Sequence, residues 1–387
     1  MRRAATAAGL RDAVIVNTCA VTSEAERQAR QAIRRLKREN PDRAIIVTGC
    51  SAEINRSAFA AMPEVAQILP NDTKLKPESF AAPNRTPLPP PLDEPAPSPS
   101  GPLQRAFVQI QNGCDHRCTF CVIPFGRGAS RSLPFAAIHQ QIAAHSANGF
   151  QEIVLTGVDI TSYGRDLSER PTLGRLVRQI LRATPDLPRL RLSSLDPAAI
   201  DEDLWRALEE EPRLMPHWHL SLQAGDDLIL KRMKRRHSGA DIDILCARAR
   251  RARPEIILGA DLIAGFPTET DAMFAQTYDR VERCGITWLH VFAYSARHGT
   301  PAARMPQGTA ELRKSRAERL RALGAQAAAR HHHALVGREI DLLIEKNGIG
   351  TAPDFTKLKL SPKITAPIGS LTRLRCIGIE NGMPVAG

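Results

Sequence analysis

Six times between residues 106 and 292 a short apolar run is followed by a helix-periodic stretch. No other feature constrains the fold as strongly. Buried parallel strands joined by helical crossovers must place their helices outside the sheet, and right-handed crossovers curl such a sheet toward a barrel. The patterning predicts strands over 106–111, 151–156, 189–194, 217–222, 256–262 and 287–292. Helices are expected over 134–148, 173–183, 197–210, 240–252 and 270–284. The expected class is therefore α/β, with a partial parallel βα barrel. Polar residues gather where the strands end. Cys114 to Cys121 follow the first, and Thr156, Gly157 and Asp159 the second. Ser193 and Ser194 close the third, and Gln223 the fourth. Asp261 and the turn Gly265-Phe266-Pro267 close the fifth, Tyr294 and Ser295 the sixth. Barrels of this kind build their sites on that face. Ser, Asp and Gly also serve there as caps and turns, and Asp196-Pro197 and Ser238-Gly239 read that way.

The run Cys114-Asp-His-Arg-Cys118-Thr-Phe-Cys121 offers three thiolates in eight residues. A cluster of four irons held by three thiolates keeps one iron open to chelation by a small molecule. A structural zinc site would want a fourth Cys or His at ligand spacing. Disulfides would leave one of the three unpaired. Val122-Ile123-Pro124-Phe125 and the small, basic run Gly126 to Arg131 then form a loop fit to fold around such a cluster.

Ahead of this region, residues 12–18 and 44–48 read as buried parallel strands, with a basic helix over 23–39 between them. Cys19 follows the first strand and Cys50 the second. Open α/β sheets place ligands at that edge. The two cysteines are candidate co-ligands, or else two small core residues. This Rossmann-like unit lacks a strand ahead of residues 12–18, which leaves a sheet edge unpaired. Residues 83–102 hold nine prolines. No helix or sheet tolerates that density, so the segment reads as a linker.

The expected domains are 1–82, then the linker, a barrel over 103–333 and a small β domain over 334–387. A helix is expected over 310–334, with His331-His332-His333 as a polar terminus. Strands are expected over 339–344 and 371–379, within a small β-barrel. That module offers Lys346, Lys357, Lys359, Lys363, Arg373 and Arg375 to phosphates. The run Lys231 to His237, after the fourth barrel strand, is either a solvated helix face or a grip for a polyanion.

At 387 residues the chain is long enough for two or three domains with real cores. Its net charge of +12 favours a polyanionic partner, nucleic acid first. Aromatic content of 4% argues against extended base-stacking surfaces. Eight cysteines without a signal peptide or long apolar span argue for a reducing cytoplasm and no membrane. The Met-Arg-Arg start suggests a transit peptide, but Asp12 and a strand arrive too early for one.

At this point the chain resembles a known family. The three-cysteine spacing is the signature of radical S-adenosylmethionine (SAM) enzymes. The segments Ile15 to Thr22, Val47 to Cys50, Gln111 to Cys121, Glu152 to Asp159 and Leu262 to Glu269 resemble the methylthiotransferases among them. The resemblance spans nearly the whole chain. It is nearest the branch acting on tRNA that carries threonylcarbamoyladenosine, and it implies a C-terminal TRAM domain. It further implies that Cys114, Cys118 and Cys121 hold a [4Fe-4S] cluster that binds SAM and passes it an electron. The resulting 5′-deoxyadenosyl radical would take hydrogen from C2 of the modified adenine at position 37 of tRNA. A second, auxiliary [4Fe-4S] cluster would supply sulfur, and another SAM the methyl group. The implied SAM pocket comprises Phe120, Thr156, Gly157, Asp159, Ser193, Ser194 and Gln223. The implied partners are a tRNA anticodon stem-loop, an electron donor such as flavodoxin and a sulfur donor. An anticodon-loop base is reached without opening a long duplex, which suits RNA recognition.

One departure stands out. The family holds its auxiliary cluster with three cysteines, of which only Cys19 and Cys50 have counterparts here. Cys246, Cys284 and Cys376 read as core thiols. A late start of the sequence would explain the gap, and an upstream Gly-Cys motif is then expected. Two other functions fit the sequence. One is methylthiolation of a ribosomal-protein aspartate. The other is a non-catalytic, RNA-binding Fe–S protein.

Overall fold

The computed structural model describes residues 1–10, 12–80 and 105–387. The expected proline-rich linker lies outside the described residues. The chain divides into two compact units. The first holds the N-terminal segment together with Gly113–Ala129 and Ser295–Arg304. The second holds Ser130–Tyr294, Met305–Gly387 and the strand that precedes the cysteine loop.

The N-terminal segment forms a parallel sheet in the order β1 (Ala13–Thr18), β2 (Ala44–Gly49), β3 (Val65–Ile68). The helix Ser23–Glu39 crosses between the first two, and Thr22 caps it by accepting from the Ala25 amide. Ile33, Ile45, Val47 and Phe59 fill the core on one face. On the other face Ala4 and Ala5, from a helix over Arg2–Ala7, pack with Ile46, Leu69 and Phe80. As expected, β1 stands at the edge of this sheet. The sequence does not announce β3 or the Arg2–Ala7 helix, because both are too short to show a period.

Gly49, which ends β2, has φ +104. A Cβ there would fall 2.2 Å from the Thr18 carbonyl oxygen. Gly49→Ala is therefore expected to cost roughly 1–3 kcal/mol from backbone strain alone, measured as a lower unfolding midpoint. A midpoint equal to wild type would show that this strand end relaxes freely.

The second unit is built on six parallel strands, β4 (Arg105–Gln109), β7 (Glu152–Thr156), β8 (Arg189–Leu192), β9 (His217–Gln223), β10 (Ile257–Ala264) and β11 (Trp288–Ala293). They form two three-stranded parallel sheets, β4-β7-β8 and β9-β10-β11. Isolated parallel bridges, Leu190 to Leu214 and Leu195 to Leu220, link the β8 side to the segment that carries β9. A short antiparallel pair, β5 (Gln111–Asn112) and β6 (Arg131–Ser132), flanks the departure and return of the cysteine loop. Helices cover the arc between strands, and side-chain caps fix where they begin: Thr172, Asp201, Asp226, Thr270 and Thr309 each accept from an amide three residues on. Ser238 forms a full capping box with Asp241. The expected helix over 197–210 is divided. Asp196 caps a 3₁₀ turn at Pro197–Ala199, and Asp201 starts a separate helix at Glu202.

The helix Ala310–Leu335 leads to a closed five-stranded barrel of β12 (Glu339–Glu345), β13 (Ile349–Thr351), β14 (Lys357–Leu360), β15 (Leu371–Glu380) and β16 (Met383–Ala386). Leu342, Ile344, Leu358, Cys376 and Ala386 form its core. His331 and His332 pin the helix end to this barrel, through Asp354 and Thr356 for the first and the Gly382 carbonyl for the second. No described helix is long and apolar enough to cross a membrane.

Candidate active site

The cysteine loop belongs to the first unit. Its ends are drawn together at glycines. The Cys114 amide donates to the Gly128 carbonyl at 3.1 Å. Gly113, at φ +78, lies so close to Ala129 that a Cβ would meet its carbonyl oxygen at 1.9 Å. Within the loop the Cys121 amide donates to the Cys118 carbonyl at 3.1 Å, closing a turn between two of the three thiols. The Cys121 sulfur accepts from the Ile123 amide at 3.4 Å. Cys114, Cys118 and Cys121 form no disulfide and are of intermediate exposure, and Phe120 beside them is half-buried. Three reduced sulfurs on one pinned loop, one of them accepting an amide hydrogen bond, suit an iron–sulfur cluster open at one iron. The Ala302 amide donates to the Thr119 carbonyl and steadies the loop.

Cys19 and Cys50 follow Thr18 and Gly49, which are register partners in adjacent parallel strands. The sheet thus delivers both sulfurs at one edge, as expected from the sequence. Cys19 is exposed and Cys50 buried. The Arg127 guanidinium donates to the Cys50 sulfur at 2.9 Å. Lys74 is buried close by, where burial and then the Arg127 charge lower its pKa. This corner sets the cations of Arg127 and Lys74 near the Cys50 sulfur. It supplies two of the three thiolates used by the family's auxiliary cluster, so the residues present do not complete that site.

The remaining predicted site residues sit in the second unit at the carboxyl ends of its strands. Thr156 ends β7. Gly157 leaves no room for a side chain, since a Cβ would lie 2.7 Å from the Gln111 carbonyl oxygen. The Gln111 side-chain oxygen accepts from the Val158 and Asp159 amides, and the Asp159 carboxylate accepts from Thr161 and Ser162. Asp159 thus braces the turn. Ser193 and Ser194 follow β8 and line a cavity. Gln223 ends β9 in a left-handed conformation, φ 70.

Asp261, legible from the sequence as a polar residue of the fifth strand, meets two histidines inside the arc that the sequence patterning does not single out. The His219 Nε2 lies 3.0 Å from the Asp261 Oδ1, and the His290 Nδ1 lies 3.4 Å from the same oxygen. Burial alone would raise the Asp261 carboxyl; the two imidazoles outweigh it and hold the group at about 2. His290 is raised in turn by its bond to Asp261. The ligand atoms of this trio lie within 4.8 Å of one another, a spacing compatible with a cation. The available signal was period two: His217 and His219, Asp261, and His290 interrupt otherwise apolar strands at alternate positions.

At the foot of the arc Glu152 is fully buried and meets three arginines. Arg191 donates to both of its carboxylate oxygens at 3.1 Å, and Arg105 and Arg189 stand 3.1 and 3.8 Å away. Arg189 and Arg191 also donate to the carbonyls of Thr351 and Pro353, which fastens the small barrel to the arc. Phe355, at φ 74, stacks on His217 at 5.2 Å and lies under Arg191 at 4.7 Å.

In the basic run after β9 the arginines and His237 are structural, whereas Lys231 and Lys234 stay exposed. Arg232 bonds Thr268, and Arg235 bonds the Ser221 carbonyl. Arg235 and Arg236 pair with Asp196, and His237 is buried against the Leu222 carbonyl. The folded chain thus consumes the arginine charges of this run, which follows the β9 turn directly.

Residues 108–281 match the Radical SAM superfamily, and residues 3–70 match the Uncharacterized protein family UPF0004. The sequence is 45% identical to the threonylcarbamoyladenosine tRNA methylthiotransferase MtaB of Rickettsia prowazekii, over 97% of this chain and 90% of that protein. It is 33% identical to the protein of the same name from Thermotoga maritima, over 86% of this chain and 77% of that one. Identity is also 33% to the tRNA-2-methylthio-N(6)-dimethylallyladenosine synthase of Cereibacter sphaeroides, over 94% and 87%. Among solved structures, the radical SAM methyltransferase TsrM of Kitasatospora setae shares the fold, with a TM-score of 0.53 at 15% identity over 75% of this chain and 64% of that one. The chain belongs to the radical SAM methylthiotransferases, a family whose enzymes use a [4Fe-4S] cluster and SAM.

Proposed function

We propose that this chain adds a methylthio group to C2 of N6-threonylcarbamoyladenosine at position 37 of tRNA, in the cytoplasm. The observation that carries this reading is the 45% identity, over 97% of the chain, to a relative named for that substrate. The bound cluster and SAM supply a 5′-deoxyadenosyl radical. The chain's own residues do the rest. Cys114, Cys118 and Cys121 hold the cluster, and the glycines at 113 and 128 keep their loop closed. Thr156, Gly157, Asp159, Ser193, Ser194 and Gln223 of the second unit bind SAM in this reading, and Phe120 is assigned to SAM on the family resemblance alone. Gly157 lets the end of β7 pack directly against Gln111, whose side-chain oxygen orders the Val158 and Asp159 amides. An electron donor such as flavodoxin and a separate sulfur donor complete the set of partners.

The test is anaerobic reconstitution, reduction, and incubation with SAM and tRNA carrying threonylcarbamoyladenosine. Mass spectrometry of the digested tRNA should show its 2-methylthio derivative. Methylthiolation of dimethylallyladenosine alone, or of a ribosomal-protein aspartate, would replace this reading. Absence of 5′-deoxyadenosine would favour a non-catalytic RNA-binding role.

A further inference from the structure

The arc of strands encloses a cavity of about 590 Å³ within the second unit. That lies within the range of small-molecule sites and is large enough for a nucleoside. Its lining surface is largely apolar, with Phe107 (65% exposed), Val154, Leu192, Leu289 and Phe355 among the residues that supply it. Ser193 and Ser194 reach it from the carboxyl ends of the strands.

Two buried polar atoms belonging to lining residues lack a hydrogen-bond partner, Nδ1 of His217 and Nε1 of Trp288. His217 is only 6% exposed. Burial holds its imidazole down to about 3, so it is neutral near pH 7. Unpaired buried polar groups are costly, and a ligand that bonds them removes the cost.

No aspartate or glutamate is among the described lining residues, whereas Arg105, Arg191 and Lys357 are. The two arginines are already committed to Glu152. On the small barrel Lys359 pairs with Glu380 and Arg373 with Glu339. Lys357 is exposed and has no ion-pair partner among the described residues. An apolar slot with one uncommitted cation at its edge fits an aromatic base whose substituent ends in a carboxylate.

We propose that this cavity receives the target adenosine and that Lys357 pairs with a carboxylate on its N6 substituent, distinguishing an N6-carbamoyl amino acid from an N6-alkyl group. This rests on the substrate reading given above and goes beyond it, since it assigns discrimination to one side chain on the small barrel. The phosphates of the anticodon loop then meet other cations, such as Lys346 and Lys363.

Binding of three labelled anticodon stem-loops to the reconstituted, unreduced protein with SAM tests the assignment. The loops differ only at the adenosine beside the anticodon, which is threonylcarbamoylated, dimethylallylated or unmodified. Wild type should prefer the first by about tenfold, the size of one charge-assisted contact. Lys357→Met should remove that preference and leave the other two loops within about twofold of wild type, while Lys357→Arg retains it. Equal weakening of all three loops by Lys357→Met would make Lys357 a phosphate contact and overturn the assignment. An unchanged preference would overturn it too. A wild-type protein that prefers the dimethylallylated loop would instead sink the substrate reading itself. Circular dichroism melts of each variant verify that this exposed strand residue is not required for folding.

Discussion

Glu152→Gln should destabilise the second unit by about 3–5 kcal/mol, the largest loss expected from a single side chain in it. Glu152 is fully buried, and its carboxylate is the shared counter-charge of Arg105, Arg189 and Arg191. Burial alone would raise the carboxyl pKa, but Arg191, Arg105 and Arg189 outweigh it and keep it below the ordinary value. The amide fills the same space, yet it leaves three guanidinium groups buried around a neutral acceptor. Arg189, with its pKa already pulled down to about 10 by burial, is then left facing backbone carbonyls only. A loss of that size is a large fraction of the 5–15 kcal/mol that holds a typical domain folded. Denaturant unfolding followed by far-UV circular dichroism reads the effect. The double variant Glu152→Gln, Arg191→Met should recover part of it, because an apolar pair avoids the buried charge. A loss below about 1 kcal/mol would mean that water reaches this junction. The pH dependence has a defined sign. A carboxyl with a depressed folded pKa contributes stability above its unfolded pKa, near 4.5, and loses it as the pH falls through the folded value. The wild type should therefore lose this contribution in acid, and the glutamine variant should lack that component.

That junction also marks the limit of what sequence reading delivers. The six barrel strands and their helices were legible because each local signal agrees with the fold. Continuous apolar runs such as Ile153-Val154-Leu155 end in polar residues, and the helices open on Thr, Ser or Asp caps whose side chains do accept the expected amides. The cysteine loop was legible for the same reason, since its thiols and its two glycines lie within one short segment. Cys246, Cys284 and Cys376 are buried, as their apolar settings implied. Contacts between distant segments were not legible. Phe355 meets His217 and Arg191 across more than a hundred residues of chain, and nothing local to Pro353-Asp354-Phe355 indicates that it underlies a cavity. Charge misled in the opposite direction. The run Lys231 to His237 is dense enough to suggest a nucleic-acid grip, yet its arginines are spent on Thr268, the Ser221 carbonyl and Asp196. A count of positive side chains therefore says less than which of them remain uncommitted after folding, and by that measure Lys357 stands apart from Lys359 and Arg373.

Cys118→Ser should reduce SAM cleavage by more than about a hundredfold, and the iron content should fall with it. Altering a group that merely supports a metal ligand already costs 10–100-fold in affinity or activity, and this change removes a ligand. The hydroxyl of serine is harder than a thiolate and holds iron–sulfur clusters poorly. The structure makes the experiment clean. Cys118 is only half-buried, and its carbonyl, not its sulfur, closes the turn to the Cys121 amide. The loop should therefore keep its backbone when the sulfur is lost, so a folded protein with less iron and no 5′-deoxyadenosine is the expected product. Cys246→Ser offers a contrast. Its thiol is 1% exposed, so this change should lower stability while leaving iron content unchanged. Cys19→Ser and Cys50→Ser separate the two cysteine groups further. Neither should affect SAM cleavage, because both sulfurs lie at the edge of the N-terminal sheet and outside the three-cysteine loop. If Cys50 does hold iron, Arg127→Gln should shift the reduction potential of that iron downward, since it removes a cationic hydrogen-bond donor 2.9 Å from the sulfur. Undiminished 5′-deoxyadenosine formation by Cys118→Ser would break the link between the three-cysteine loop and radical chemistry in this chain.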